Sequence, residues 1–249
     1  MVRDVVSRAW DTPGAELYER VRPGYPQSAI AFVVEEFGID QSSELLDLAA
    51  GTGKLTRALL HTGARVTAVE PLDGMRQVLA RELPEVNVMA GTAEEIPLED
   101  SSADVVLVGQ AFHWFDRDTA PREIARVLRP GGGLVPIWNT RDETHGWVAE
   151  IRKVIERYKG RTPQHEDNEW RSGIEASGLF APVELRLFQQ VQEVSRPEAI
   201  EVFGSRSYVA ALPQAERERA LEEIAAAVPH EERIAIPYTT EVYWTRRLP

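Results

Sequence analysis

The stretch LLDLAAGTGKLT, residues 45–56, decides the fold class of this chain. It starts as a short apolar strand that carries Asp47, continues through a turn that contains Gly51 and Gly53, and then enters a helical pattern. Small residues in such a turn let a ligand approach the backbone, and the first turn of the helix offers free N–H groups. The stretch therefore predicts a strand–turn–helix unit whose turn lies against a ligand.

The same alternation of strand and helix patterns continues through the first 140 residues. Apolar strand patterns occur at 44–49, 65–70, 86–90, 104–109 and 134–139. Helical patterns occur at 25–38, 54–63, 73–83 and 119–128, and RPGGG (129–133) reads as a helix stop and turn. Short apolar strands that alternate with amphipathic helices are typical of an α/β fold, in which helices cover both faces of a parallel sheet.

The regular alternation of strand and helix patterns ends after Thr140. The pattern predicts a helix at 147–158, a half-exposed strand around 183–187, helices at about 197–211 and 213–228, and a final alternating strand at 234–244. These helices have no separate set of strands on which to build a domain. We therefore predict that they form a cap on the sheet.

The charge and the residue composition exclude several kinds of site and partner. The chain has 249 residues, a formal net charge of −12 and no cysteine. A strongly acidic chain disfavours a nucleic-acid partner, and the lack of cysteine excludes disulfides, thiolate metal sites and a cysteine nucleophile. There is no run of about 18 apolar residues, as a membrane span needs, and the N-terminus lacks the apolar region of a secretory signal. A soluble cytoplasmic protein without a bound metal is the expectation.

Glu70 is the second candidate ligand-binding residue. It ends the second strand, 17 residues after Gly53. A carboxylate at this place can accept both hydroxyls of a ribose, in NAD or in any other adenosine ligand, whereas the alternative is a solvated residue at a strand end. A dinucleotide fingerprint requires a third glycine where this chain has Thr56, which disfavours NAD.

Further motifs occur in the same order along the chain. They are GTAEEIPL (91–98), AFHWF (111–115), RVLRPGGGL (126–134) and, near the N-terminus, LYERVRPGYP (17–26). Together with the glycine turn and Glu70, they resemble the class I S-adenosylmethionine-dependent methyltransferases, in particular the type-11 group that includes the trans-aconitate-methyltransferase-like enzymes. The resemblance covers about residues 15–140 and is general beyond them.

The resemblance implies a Rossmann-like fold with a mostly parallel seven-stranded sheet, helices on both faces and a helical cap. Residues 1–40 would form an N-terminal lid segment and residues 41–140 the cofactor-binding core. Residues 141–249 would supply the cap insertions and the last two strands. The implied cofactor is S-adenosylmethionine, and the implied partner is a small-molecule acceptor methylated at oxygen, nitrogen, carbon or a carboxyl group.

The resemblance also assigns cofactor contacts. Glu70 would hold the ribose, and Arg22 would pair with the methionine carboxylate, although a surface ion pair is the alternative for Arg22. Ala49 replaces the usual first glycine, which predicts a backbone conformation open to other residues, and Thr92 replaces a common acid. The full implied set is Tyr18, Arg22, Asp47, Ala49, Gly51, Gly53, Glu70, Leu72, Met75, Thr92, Ala93, Glu94 and Gln110.

Ligands of open parallel sheets bind at the carboxyl ends of the strands, where the fourth strand runs into His113 and Trp114. His113 is the candidate general base, and the alternative is a structural histidine that bonds the backbone at a helix start. Arg206 either meets an anionic acceptor or lies on the surface. The predicted acceptor contacts are His113, Trp114, Trp138, Trp147, Phe203, Arg206 and Tyr208.

Two other functions fit the same motifs. One is a non-catalytic S-adenosylmethionine-binding sensor or assembly subunit, which would keep both the glycine turn and Glu70. The other is an NAD oxidoreductase, which Thr56 disfavours. Ligand binding and methyl release separate these from a methyltransferase.

Overall fold

The computed structural model describes residues 12–160 and 162–249, so that the first eleven residues of the predicted lid segment 1–40 lie outside the described part. A seven-stranded sheet has the order β3-β2-β1-β4-β5-β7-β6. The strands are β1 (Glu44–Leu48), β2 (Arg65–Val69), β3 (Asn87–Met89), β4 (Ala103–Gly109), β5 (Leu128–Arg141), β6 (Glu184–Ser195) and β7 (Arg233–Arg246). Strand β7 pairs antiparallel with both of its neighbours, β5 and β6, and all other adjacent strands pair in parallel. The predicted mostly parallel, seven-stranded fold is confirmed.

Helices connect the strands on both sides of the sheet. They are α1 (Thr12–Val21), α2 (Gln27–Phe37), α3 (Lys54–Leu60), α4 (Asp73–Glu82), α5 (Ala120–Val127), α6 (Gly146–Glu156), α7 (Glu169–Ser177), α8 (Arg196–Gly204), α9 (Ser207–Ala210) and α10 (Gln214–Ala227). None of the helices in the described residues is both long enough and apolar enough to cross a membrane.

The central strands carry the core because their neighbouring residues point to opposite faces. Leu46 and Val106 belong to the apolar cluster on one face, while Leu45 and Leu107 belong to the cluster on the other. All four side chains are at most 2% exposed. Burial on both faces explains why β1 and β4 appear in the sequence as continuous apolar runs.

The residues beyond β5 form another apolar cluster. Helices α6, α8 and α10 pack there against the first half of β7. Its fully buried side chains include Ile151, Phe203, Ile224 and Ile236. Burial of these apolar groups holds the helices together at one end of the sheet.

The predicted helix at 197–211 is wrong, because the chain bends between α8 and α9. Arg206 has the extended backbone angles φ −62° and ψ 135° and begins a new helix. A side chain at Gly204 would meet Leu221 Cδ2 at 2.4 Å, so the end of α8 packs closely against α10. The bend turns Arg206 away from the helical path and toward the sheet.

Two further differences concern segments without a clear pattern. Helix α7 was not predicted, and β5 begins at Leu128 instead of 134. The RPGGG segment is an irregular part of β5 rather than a separate turn, because Gly131 N–H and Gly132 C=O bond the backbone of Arg247. A partner strand that is distant in sequence supplies these bonds.

Candidate functional site

A cavity of about 370 Å³ lies at the carboxyl ends of β1, β2, β4 and β5. Helix α1 and the bend between α8 and α9 close it from the other side. Sixteen of the predicted site residues line it: Tyr18, Arg22, Asp47, Ala49, Gly51, Glu70, Leu72, Met75, Thr92, Ala93, Glu94, Gln110, His113, Trp114, Arg206 and Tyr208. The parallel strands bring them together because their carboxyl ends meet at one edge of the sheet.

The turn after β1 uses left-handed backbone conformations. Ala49, Gly51 and Gly53 have φ values of 57°, 59° and 87°. Ala49 therefore contradicts the expectation of a conformation open to non-glycine residues, at a cost of about 1–2 kcal/mol. Gly53 does not line the cavity, since a Cβ there would lie 3.0 Å from Leu79 Cγ. Its role is to let helix α3 start close to α4.

The side chain of Glu70 accepts hydrogen bonds from two turns, the one after β1 and the one after β2. One carboxylate oxygen accepts the N–H of Gly51 at 2.8 Å, and the other accepts the N–H of Leu72 at 2.8 Å. The residue is 3% exposed, so the solvated reading does not hold. Burial raises the pKa of Glu70 to about 7. A carboxylate offers about four lone-pair sites, so each oxygen can still accept a bond from a ligand.

Asp47 is fully buried and has one unpaired oxygen. Its Oδ2 accepts the hydroxyl of Thr56 at 2.5 Å, but its Oδ1 has no hydrogen-bond partner among the described residues. Burial raises the pKa of Asp47 to about 7. Buried polar atoms in folded proteins are almost always paired. A ligand with a hydroxyl or ammonium donor would satisfy this oxygen.

Thr92, Ala93 and Glu94 form a short loop near Glu70 at the cavity wall. The backbone of Thr92 makes a reciprocal pair of hydrogen bonds with Glu95, which fixes the loop. Met75 is 4% exposed and packs in one cluster with residues of α1 and α4, while it also lines the cavity. Both readings of Met75, helix packing and ligand contact, therefore apply to the same side chain.

Arg22 is not part of a surface ion pair. Its Nη2 donates to the carbonyl of Ser205 at 2.8 Å, and its guanidinium lies 5.3 Å from the centre of the Tyr18 ring. Its Nε is buried and has no partner within the described residues. Burial lowers the pKa of Arg22, and the nearby Arg206 lowers it further. This cation is placed to receive a carboxylate from a ligand.

His113 lies in a short 3₁₀ turn, Phe112–Trp114, that follows β4. The indole Nε1–H of Trp138 donates to His113 Nδ1 at 3.3 Å. Because Nδ1 is the acceptor, the neutral ring carries its proton on Nε2. Burial lowers the pKa of His113 to about 3, with contributions from His165 and Arg206. The neutral side chain is therefore a hydrogen-bond donor and is poorly arranged to accept a proton.

Three predicted acceptor contacts do not line the cavity. Trp138 is 0% exposed and stacks on His165 with ring centres 5.1 Å apart. Phe203 is 1% exposed, and Trp147 packs edge-on against it. Trp138 and Phe203 are buried and Trp147 is half-buried against the cap, because all three carry large apolar surfaces. The structure therefore places these three predicted acceptor contacts outside the cavity lining.

The sequence interpretation missed several lining residues: Tyr25, Ala50, Thr52, Lys54, Leu55, Pro71, Gly109, Ala111, Asn139, Thr140, Arg141, Gln164, His165 and Ser207. Asn139 and Arg141 lie at the carboxyl end of β5, so the rule that predicted His113 could have found them. Tyr25 follows the RPG motif. His165 lies in a loop without a recognisable pattern. No group of acidic and histidine side chains in the described residues could hold a metal ion.

Known proteins share this architecture. A family model described as "Methyltransferase domain" matches residues 46–135. An uncharacterized methyltransferase of Mycobacterium tuberculosis is 38% identical over 229 residues, which cover 90% of this chain and 89% of that protein. An uncharacterized methyltransferase-like protein of Schizosaccharomyces pombe is 35% identical over 93% of both chains.

Solved structures are similar in fold. A structure described as a putative type II methyltransferase from Anaeromyxobacter dehalogenans has a TM-score of 0.66 and 24% identity, covering 92% of this chain and 99% of that one. Phosphoethanolamine N-methyltransferase 2 of Haemonchus contortus, in complex with S-adenosyl-L-methionine, has a TM-score of 0.61 and 16% identity, covering 100% of this chain and 60% of that one.

Proposed function

The chain belongs to the class I S-adenosylmethionine-dependent methyltransferases, and on that premise we propose that it methylates a small-molecule acceptor. The observation that carries this proposal is the single cavity with two chemically different parts. Buried carboxylates, Asp47 and Glu70, lie at the ends of β1 and β2. Aromatic and cationic side chains line the wall near β4 and the α8–α9 bend. One cavity can thus hold a cofactor and an acceptor side by side.

The carboxylate part fits the polar groups of S-adenosylmethionine. Glu70 has lone pairs free for two ribose hydroxyls, and the unpaired Oδ1 of Asp47 suits the ammonium of the amino-acid part. Arg22 suits the carboxylate of the same part. When bound, the cofactor supplies an electrophilic methyl group on a positively charged sulfur. The described residues therefore offer partners for the ribose and the amino-acid part of this molecule.

The remaining lining residues position the acceptor. Trp114 and Phe115 provide aromatic walls next to the strand end, and neutral His113 offers an N–H donor. The positive charge of the sulfonium is lost during methyl transfer, so a dry pocket that orients both reactants favours the reaction. A side-chain base is not required when the acceptor atom has no proton to lose, as in an ionised carboxylate.

The size and charge of the site support a small acceptor. The cavity volume of about 370 Å³ is within the usual range for small-ligand pockets, roughly 300–1,000 Å³. The net charge of −12 disfavours nucleic acid as the acceptor. A metabolite-sized acceptor is the reading most consistent with these two properties.

Calorimetry and methyl release test the proposed function together. We expect the protein to bind S-adenosylhomocysteine and not NAD, and to release labelled methyl product with at least one member of a metabolite panel. Binding of S-adenosylhomocysteine without any transfer across protein, nucleic-acid and metabolite acceptors would instead favour a non-catalytic sensor. Preference for NAD would contradict the proposal.

Arg22→Met is expected to weaken S-adenosylhomocysteine binding by about 10–100-fold, since a charge-assisted hydrogen bond contributes about 1.5–3 kcal/mol. Decarboxylated S-adenosylhomocysteine should lose far less affinity, because it lacks the group that Arg22 binds. Arg20→Met is the matched control, as Arg20 lies two residues before Arg22, near the end of α1, and pairs with Glu201 outside the cavity. Equal losses for both ligands would mean that Arg22 only supports the structure.

His113→Gln is expected to slow methyl transfer by less than about tenfold, because glutamine keeps an N–H donor. Loss of a general base would instead slow the reaction by about 10²–10⁴. At saturating cofactor, the wild-type rate should show no rise with pH through about 6.5, since the pKa of His113 is about 3. Single-turnover rates measure both effects, and the exposed His145→Gln serves as the control. A hundredfold slower step with normal cofactor binding would identify His113 as the base.

A further inference from the structure

Three guanidinium groups line one wall of the cavity. They belong to Arg22 after α1, Arg141 at the end of β5 and Arg206 at the α8–α9 bend. The Nε atom of each is buried and has no hydrogen-bond partner among the described residues. None of the three forms an ion pair with a carboxylate in that part of the chain. Three cations thus share one wall without a counter-ion from the described residues.

The three side chains differ in how firmly the protein holds them. Arg22 donates to Ser205 C=O at 2.8 Å, and Arg141 donates to Val202 C=O at 3.0 Å and packs over the Phe203 ring at 4.5 Å. The guanidinium of Arg206 makes no hydrogen bond to any described residue. Arg206 is therefore the cation with the most donors left for a ligand.

The arrangement is unfavourable without an anion. Burial, together with the charges of Arg206 and Arg22, lowers the pKa of Arg141 to about 9. Like charges close together in a poorly solvated place are costly unless an opposite charge joins them. The chain as a whole carries a charge of −12, so this positive wall does not follow from its average composition.

Arg206 lies between the aromatic wall and the other two guanidinium groups, since its charge acts on His113, Arg22 and Arg141. Arg22 instead lies over the ring of Tyr18, which is close to Asp47 and Glu70. Under the proposed function, Arg22 is occupied by the carboxylate of the cofactor. Arg206 and Arg141 then remain for the second molecule.

We propose that the methyl acceptor carries an anionic group that Arg206 binds directly and that Arg141 stabilises from the adjoining wall. This inference rests on the proposed function and adds to it the chemical class of the acceptor. Guanidinium groups bind carboxylates and phosphates through paired N–H donors, so both anions share the required chemistry. A neutral analogue of the same shape would leave both cations uncompensated and would bind weakly.

The test uses the full-length protein saturated with S-adenosylhomocysteine. Calorimetric titrations compare acetate, succinate and citrate with inorganic phosphate and glycerol phosphate, and succinamide is the neutral counterpart of succinate. We expect at least one anion to bind ten times more tightly than succinamide. The carboxylate and phosphate arms identify which anion the wall prefers. If no anion exceeds succinamide, the inference is wrong.

Substitutions of Arg206 test whether this side chain binds the anion. Arg206→Gln should reduce anion affinity by about 10–100-fold and leave the dissociation constant of S-adenosylhomocysteine unchanged. Arg206→Lys should retain part of the affinity because it keeps the charge. Arg217→Gln is the matched control, since Arg217 also has a buried, unpaired Nε but does not line the cavity. Unchanged anion binding in Arg206→Gln would overturn the inference.

Different results would overturn the proposed function and the proposed anionic acceptor. If S-adenosylhomocysteine itself does not bind, the proposed function and the anionic acceptor are both overturned. If it binds normally and the anions are not preferred, the enzyme assignment stands and only the acceptor class is overturned.

Discussion

Glu70→Ala is expected to weaken S-adenosylhomocysteine binding by more than tenfold. In the proposed function Glu70 accepts two ribose hydroxyls, and each charge-assisted bond contributes about 1.5–3 kcal/mol. The substitution also removes the acceptors of two backbone N–H groups, those of Gly51 and Leu72, and so loosens the turns that surround the ligand. Isothermal calorimetry gives the affinity, and thermal unfolding shows whether the variant is folded.

The control for Glu70 is Glu95→Ala. Glu95 is exposed, lies in the neighbouring loop and does not line the cavity, so its loss should leave the affinity unchanged. A folded Glu70→Ala protein with wild-type affinity would remove Glu70 from the cofactor site.

The pH dependence of binding provides a second check on the same residue. Burial raises the pKa of Glu70 and of Asp47 to about 7, so the ionised forms that a ligand needs become populated as the pH rises through that value. Affinity for S-adenosylhomocysteine should therefore increase as pH rises through about 7 and fall below it. Glu70→Ala should reduce this dependence and not abolish it, because Asp47 remains. A flat profile in the wild type would contradict the role of both carboxyls.

Trp138→Ala is expected to destabilise the protein by about 3–5 kcal/mol, the usual cost of truncating a buried tryptophan. The side chain is 0% exposed and contacts the rings of His165, Trp170 and Tyr243 at centre distances of 5.1, 4.8 and 5.6 Å. Its removal leaves a cavity directly beneath the site. Urea denaturation measures the free energy of unfolding, and a loss below about 1 kcal/mol would contradict this packing role.

Trp138→Phe separates packing from hydrogen bonding. Phenylalanine keeps much of the aromatic contact but lacks the N–H that His113 Nδ1 accepts. We expect the His113 ring to populate the Nδ1–H tautomer, which nitrogen chemical shifts detect. Trp147→Phe is the control, because Trp147 contacts Phe203 and does not bond His113. An unchanged His113 spectrum in Trp138→Phe would disprove the assigned tautomer.

The Glu70 and Trp138 variants test two parts of the same site, the cavity wall and the side chains packed behind it. Glu70 acts on the ligand and on the turns that enclose it, while Trp138 acts through His113 without touching the cavity. The sheet supplies the rigid positions of both, because Glu70 follows β2 and Trp138 lies in β5. Side chains held by a buried sheet can keep a ligand oriented without reorganising on binding.

Local patterns in the sequence were sufficient for the sheet and for the cofactor side. The strands at 44–49, 65–70 and 104–109 match the observed bounds to within one residue. Asp47, Gly51 and Glu70 line the same cavity because the ends of adjacent parallel strands are neighbours in space. Apolar periodicity and the position of glycine and acid in each turn are enough to predict that convergence.

Local patterns were misleading where aromatic residues occur in the core and the cap. Trp138, Trp147 and Phe203 have the character of ligand contacts, but Trp138 and Phe203 are buried in apolar clusters and Trp147 packs half-buried against one of them. The helix predicted over 197–211 is interrupted by close packing of Gly204 against Leu221. A sequence pattern shows that a side chain is apolar, but not which of two apolar environments receives it.

The amino-acid sequence by itself determined the succession of the strands, the helices between residues 25 and 128, the glycine turn and the acids at the strand ends. Each of these features depends on residues close together in the chain. Only the tertiary structure decided the tautomer of His113, which depends on Trp138, 25 residues away. It also decided the placement of Arg206 against Arg22, whose guanidinium bonds Ser205 across 183 residues. Burial, charge proximity and hydrogen-bond partners arise from such long-range contacts, and they set the protonation and binding chemistry of the site.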